Sequence, residues 1–210
     1  IFWLVLAAVV MYFKSRGESS SGGYDKAEVV IPERNISRKA AETAQLLESL
    51  TAADPSVSPA SLKRTTATIF NKLQMCWTSR DYTPIKDMLT PYLYASHSAK
   101  LESMRCRSEI NVMSDVQVHA VDIVFVNYAE KPGDRLFTAL ITASAADYYI
   151  DDRDSAFLRG DRTPQRFQEF WSFHFKGGNW LLAVIEQTSE SEALSRQNVT
   201  GGEGGGFLNA

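Results

Sequence analysis

The sequence predicts an α+β domain in which helices pack on one face of a curved, cone-shaped antiparallel four-stranded sheet. Three hydroxyl–proline pairs, Ser58-Pro59, Thr83-Pro84 and Thr90-Pro91, mark helix starts in the first half of the chain. In each pair the hydroxyl can cap free backbone N–H groups, and proline at the first helical position gives up no hydrogen bond. From Ile110 onward the apolar period falls from near 3.6 to 2, the alternation of strands. Helices followed by an antiparallel meander define the class.

Residues 1–13 read IFWLVLAAVVMYF, without a charge. Thirteen helical residues reach only ~20 Å, short of the ~30 Å hydrocarbon core, so residues 1–14 read as the end of a transmembrane helix. Lys14 and Arg16 come next, and the positive-inside rule places the rest of the chain on the cytoplasmic side. The expected location is therefore a single-pass anchor in an inner or plasma membrane. Residues 15–57 read as a flexible linker, opening on the Ser/Gly-rich stretch SRGESSSGG. It carries an amphipathic helix at 37–50, with Ala40, Ala44, Leu47 and Leu50 on one side.

The domain proper is expected over 58–188. Leu62, Thr66, Ile69, Leu73 and Trp77 recur at spacings of three and four, one apolar stripe along a helix that ends near Arg80. A short helix at 83–88 and a longer one at 91–105, carrying Leu93, Leu101 and Met104, complete the helical half. The first long strand holds Val116, Val118, Ala120 and the run 121–126, and Lys131-Pro132-Gly133-Asp134 turns the chain. A second strand is expected at 136–150 and, after an irregular acidic stretch at 151–162, a third at 164–176. Gly177-Gly178 then makes a tight hairpin into a fourth strand at 180–187. The tail, 189–210, contains GGEGGG and is expected to be disordered on composition.

Bulk properties narrow the function. The 210 residues are 44% hydrophobic and 22% charged, which suits one sizeable domain with extensions. Net charge is −3 and basic residues are scattered singly or in pairs such as Arg38-Lys39 and Lys63-Arg64. That distribution argues against nucleic acid as a partner, since such binding draws on clustered Lys and Arg. Cys76 and Cys106, with no CxxC, suit a reducing compartment, and both are expected in the core.

A set of residues recurs in order over 70–187: Trp77 with Arg80-Asp81, Leu89-Thr90-Pro91, Asp147-Tyr148 with Gly160-Asp161, and above all Phe167, Glu169, Trp171 and Phe173, followed by Trp180, Leu181 and Ile185 to Gln187. By these residues the stretch resembles the Tim44-like domain family. The resemblance implies a nuclear-transport-factor-two or cystatin-like cone, a bent sheet wrapping a long helix around a hydrophobic cavity. It also implies adaptor or tethering roles close to a membrane. The long charged chaperone-binding region of the mitochondrial member has no counterpart here, so import-motor function is not carried over.

Chemistry inside the cone has to be weighed, because the same fold supports isomerases that use an Asp base and a Tyr donor. Asp122, Tyr128, Asp147, Tyr148, Glu169 and His174 lie on strands. Alternation puts Phe167, Glu169, Trp171 and Phe173 on one strand face. With Trp77 and Trp180 they form the candidate lining of a ligand cavity, although for Trp77 a core role is the simpler expectation. Glu169 is the one carboxylate expected to point inward, and a salt bridge to a helix residue such as Arg80 is favoured for it over a catalytic role. His97, His119 and His174 lack metal-ligand spacing and are expected to be surface or satisfied polar residues. No catalytic residue, metal or cofactor is therefore expected. The leading expectation is a non-catalytic membrane-tethered adaptor or accessory subunit that docks on subunits of a larger membrane protein complex. A lipid or hydrophobic small-molecule binding domain is the first alternative, with membrane lipid as its partner, and an isomerase-like enzyme the second.

Overall fold

A computed structural model describes residues 30–189 and 191–201. The spanning segment expected at 1–14, the leash at 15–23 and the tail over 202–210 lie outside the described residues. Among those described, no helix is long and apolar enough to cross a membrane.

Three helices precede the sheet: α1 Glu33–Thr51, α2 Pro59–Thr78 and α3 Pro91–Cys106. Ser58 and Thr90 cap as the sequence predicts, their hydroxyls accepting from the N–H groups of Ser61 and Leu93. The third pair behaves differently. Thr83 is the first residue of a 3-10 helix, Thr83–Met88, and its N–H is taken by the Asp81 carboxylate at 2.9 Å. A carboxylate two residues upstream supplants the hydroxyl as the acceptor.

Four long strands follow: β1 Glu109–Tyr128, β2 Leu136–Asp151, β3 Phe157–Lys176 and β4 Asn179–Gln187. The expected four-stranded antiparallel sheet is corrected to five strands of mixed direction, because Val199–Thr200 adds β5 parallel to β1. Spatial order is β4-β3-β2-β1-β5. The acidic stretch foreseen as irregular to residue 162 forms instead a short turn, and β3 begins at Phe157. Polar and charged side chains hide this half of the strand from a hydrophobic pattern, since it is exposed and gains its order from backbone pairing with β2.

The sheet curls into a half-barrel. Register shifts between Ser114 and Gln117, Val118 and Ala120, and Ile123 and Phe125 break the β1–β2 ladder, and bulges of this kind bend a strand and deepen its twist. The last shift also changes facing, so that Ile123 and then Val126 join the main core while Val124 faces the other side. At the β3–β4 hairpin Gly177 and Gly178 both have positive φ, 57° and 84°, the conformation a two-residue turn between twisted strands demands.

The concave face holds the main core. Leu62, Ile69, Phe70, Leu73 and Trp77 of α2 pack on Ala139, Ile141 and Ala143 of β2 and Phe167 and Trp171 of β3. Alanines at the centre of β2 leave room for a helix carrying large side chains. The convex face is covered too. Ile36 of α1 joins Val124, Leu140, Phe170 and Ala193 there, while Leu47, further along the same helix, belongs to the concave core. The helix foreseen at 37–50 thus packs across the sheet and joins its two sides.

The two edges of the sheet are treated differently. On the β1 side Asn198 accepts from the Val126 N–H at 3.0 Å and donates to Thr43 of α1 at 3.0 Å, immediately before β5. On the other side β4 pairs with β3 only from Glu169 onward. Cys76 is buried as expected, but Cys106 at the end of α3 is exposed, because the helix turns its last residues outward as it hands over to β1.

Candidate functional site

Two ends of the concave core carry different chemistry. At one end aromatic rings pack on one another. Phe137 stacks on Phe173 with centroids 4.5 Å apart, Trp180 meets Phe137 edge-on at 4.9 Å, and Phe70 tilts against Trp171 at 5.3 Å. Offset and edge-on contacts of this sort each add about 0.5–1.5 kcal/mol beyond area burial. The structure places Phe167, Trp171 and Phe173 fully inside this cluster and Trp180 half-buried against it.

Glu169 lies inside with them, as the alternation predicts, and its carboxylate accepts from the Trp171 indole N–H at 3.0 Å. The expected ion pair with Arg80 is not formed. Arg80 has a left-handed φ of 53° just past α2 and turns to Asp152 at 2.9 Å and the Glu109 carbonyl at 3.1 Å. That conformation carries the guanidinium to the far end of the sheet, out of reach of the middle of β3.

At the other end of the core the contacts become polar. The Trp77 indole N–H donates to Asn111 Oδ1 at 2.6 Å, and Asn111 Nδ2 donates to Asp147 Oδ1 at 2.6 Å and the Tyr148 carbonyl at 3.3 Å. Trp77, Asn111 and Asp147 are all buried. A side-chain amide is the natural joint for such a chain, since it accepts on one atom and donates on the other. Beside it Tyr149 is pushed up to about 12, chiefly by burial and then by the Asp147 carboxylate. The guanidinium of Arg159 lies 3.8 Å from its ring centroid.

Gly160 makes this arrangement possible. It pairs with Tyr148 at a φ of +103°, and a Cβ there would come within 2.5 Å of the Asp147 carbonyl oxygen and 2.6 Å of Tyr148 Cα. The sequence pairing of Asp147-Tyr148 with Gly160-Asp161 is therefore a close backbone approach between β2 and β3.

On the helical side Trp77 presents an edge to His97, 5.7 Å away, and Tyr82 lies against the same imidazole at 5.3 Å. The Tyr82 hydroxyl and His97 Nδ1 are 2.8 Å apart. Burial, together with the nearby Lys100, lowers His97 to about 3, so its ring is neutral, and burial holds the Tyr82 phenol protonated. The Tyr82 hydroxyl has no other acceptor among the described residues, so we assign it as the donor to Nδ1, an assignment that puts the imidazole proton on Nε2. His97 Nε2 and Lys100 Nζ are both buried and have no hydrogen-bond partner among the described residues.

The expectation that the histidines are surface or satisfied residues is corrected for His97, which is 2% exposed. His119 is exposed and pairs with Ser144, and His174 is half-buried, its imidazole lowered by burial. The other strand candidates are scattered. Asp122 faces Lys63 at 3.6 Å, Tyr128 donates to Asp54 at 3.1 Å, and Tyr148 lies under Arg162. Sequence reasoning does not bring Tyr82, His97, Lys100 and Asn111 forward as site residues. Spacing of four already sets His97 on one helix face with Leu93 and Leu101, but Asn111 becomes visible only once β1 is folded against α2.

A family model described as the Tim44-like domain matches residues 43–187. No curated protein matches. Among solved structures the chain is similar to the intermembrane space region of the chloroplast protein ARC6, with 11% identity and a TM-score of 0.40, covering 60% of this chain and 97% of that one.

Proposed function

The chain belongs to the Tim44-like domain family, and from that premise we propose that it is a non-catalytic, membrane-tethered adaptor that docks on a larger membrane protein complex. The observation that carries the reading is where the large side chains are spent. Trp77, Phe167, Trp171 and Phe173 are all buried and tie α2 to the sheet, which makes a rigid body suited to presenting surfaces. The carboxylates nearest to an acid–base role are engaged in structure, Asp147 with Asn111 and Glu169 with Trp171. Met75 on α2 and Tyr92 on α3, 73% and 58% exposed, are the apolar side chains that the helical layer offers to a protein partner. The anchor at 1–14 tethers the domain, whose docking face lies on the cytoplasmic side of an inner or plasma membrane.

Purification of the full chain from native membranes after mild cross-linking tests this. Co-purification of membrane subunits, weakened in Met75→Asp and Tyr92→Asp, is expected. A chain recovered only as a monomer overturns the reading.

A further inference from the structure

Lys100 and His97 present an unmet demand in the interior. They lie three residues apart on α3, where side chains one turn along a helix face the same way with Cβ atoms about 5–6 Å apart. His97 is held from its other side, since Tyr82 occupies Nδ1 and the Trp77 ring packs edge-on, so the direction of Nε2 is fixed. Lys100 is half-buried as a residue while its ammonium nitrogen is covered. Its stem runs inward from the surface, the reverse of the usual lysine, which buries its methylenes and leaves its head in water. A buried ammonium with no acceptor costs several kcal/mol, and groups of this kind are nearly always paired in a working protein.

Two buried nitrogen donors one helical turn apart in sequence, one cationic and one neutral and both without an acceptor among the described residues, suit an acceptor with two oxygens. We propose that Lys100 and His97 form a binding site for an anionic oxygen group, a carboxylate or a phosphate, held by one hydrogen bond from Lys100 Nζ and one from His97 Nε2. Lys100 is the entry to the site, since rotation of its flexible stem opens the way from the surface of α3. Trp77 and Tyr82 form the wall behind it. The inference does not depend on the adaptor role, and either can fail without the other.

The test uses the full chain with its histidine rings labelled with 15N, titrated separately with hexanoate and with inorganic phosphate. Saturable movement of the His97 Nε2 resonance with either probe is expected. A response to hexanoate alone identifies a carboxylate carried on an apolar tail, as in a lipid, and a response to phosphate alone identifies the free ion. Lys100→Met removes the charged donor and should weaken binding by about tenfold or more, the worth of a hydrogen bond to a charged group. The same variant should melt a few degrees higher without a probe, because an unpaired buried ammonium has been replaced by an apolar chain of similar length. Neither probe moving the resonance overturns the proposal, and so does Lys100→Met that binds like the parent or melts lower.

Discussion

The two ends of the concave core differ in what they leave unsatisfied. Around Trp171 the packing is dry, and the indole N–H at its centre is met by Glu169 two residues away on the same strand. At the rim of this end the uncharged Trp180 N–H has no acceptor among the described residues. Around Trp77 the indole N–H opens a chain through Asn111 to Asp147, and on the facing helix His97 and Lys100, the second of them a cation, keep nitrogen atoms without acceptors among the described residues. The same half-barrel thus has a closed end, where stability is a matter of volume, and an end where polar groups have been buried at a cost. Stability lost at the first end should track the atoms removed. At the second, removing a polar group can destabilise or stabilise, depending on whether its partner remains.

The largest effect should come from the dry end. Trp171→Ala leaves a cavity between Phe70 and the sheet, and its loss of about 3–5 kcal/mol should appear as a lower urea midpoint with an unchanged slope. Next comes acid pH, to which the polar end contributes through His97. His97 is lowered to about 3 by burial, against an ordinary value near 6.5. The unfolded chain therefore binds a proton that the folded one refuses between those values. Stability from this group is complete above about pH 6.5 and falls as pH drops toward 3, by a few kcal/mol in all. His97→Gln should lessen the fall of the urea midpoint over that window, leaving the part due to carboxylates such as Asp54 and Glu109 that hydrogen bonds hold low, while Trp171→Ala should shift it by the same amount at every pH.

A smaller loss, about 2 kcal/mol, is expected of Asn111→Leu, which removes the acceptor of the Trp77 indole and a donor to the buried Asp147 carboxylate. Adding Trp77→Phe should return part of that loss, and a double-mutant cycle measures how much. At the small end, Lys63→Met breaks a half-exposed pair with Asp122 and should change stability by less than about 1 kcal/mol. A larger value would mean that the contrast between the two ends does not extend to the surface.

The dry end is legible in the sequence. Leu62, Ile69 and Leu73 at helical spacing, and Phe167, Trp171 and Phe173 at strand spacing, are two periodicities that meet only if helix and sheet face each other. The polar end is not, since Asn111 and His97 are ordinary residues whose burial depends on Trp77 and Tyr82, partners brought to them from other elements. The start of β3 escapes the same reading because residues 157–166 are largely exposed, so neither face carries an apolar signal. The tail misleads for a related reason. Val199 and Thr200 join the sheet through backbone atoms, and composition says nothing about those.

Asn198 has a bearing on how the protein is made. It ties Thr43 of α1 to the rim of β1, a contact spanning 155 positions. During synthesis the ribosome releases α1 and all four long strands before this residue emerges. Until then the outer backbone of β1 at Val126, Asn127 and Tyr128 lacks both Asn198 and β5, and an unpaired strand edge invites another chain. Closing that end of β1 therefore also removes one place where the nascent domain could aggregate, and it waits until every other element of the sheet has already left the ribosome.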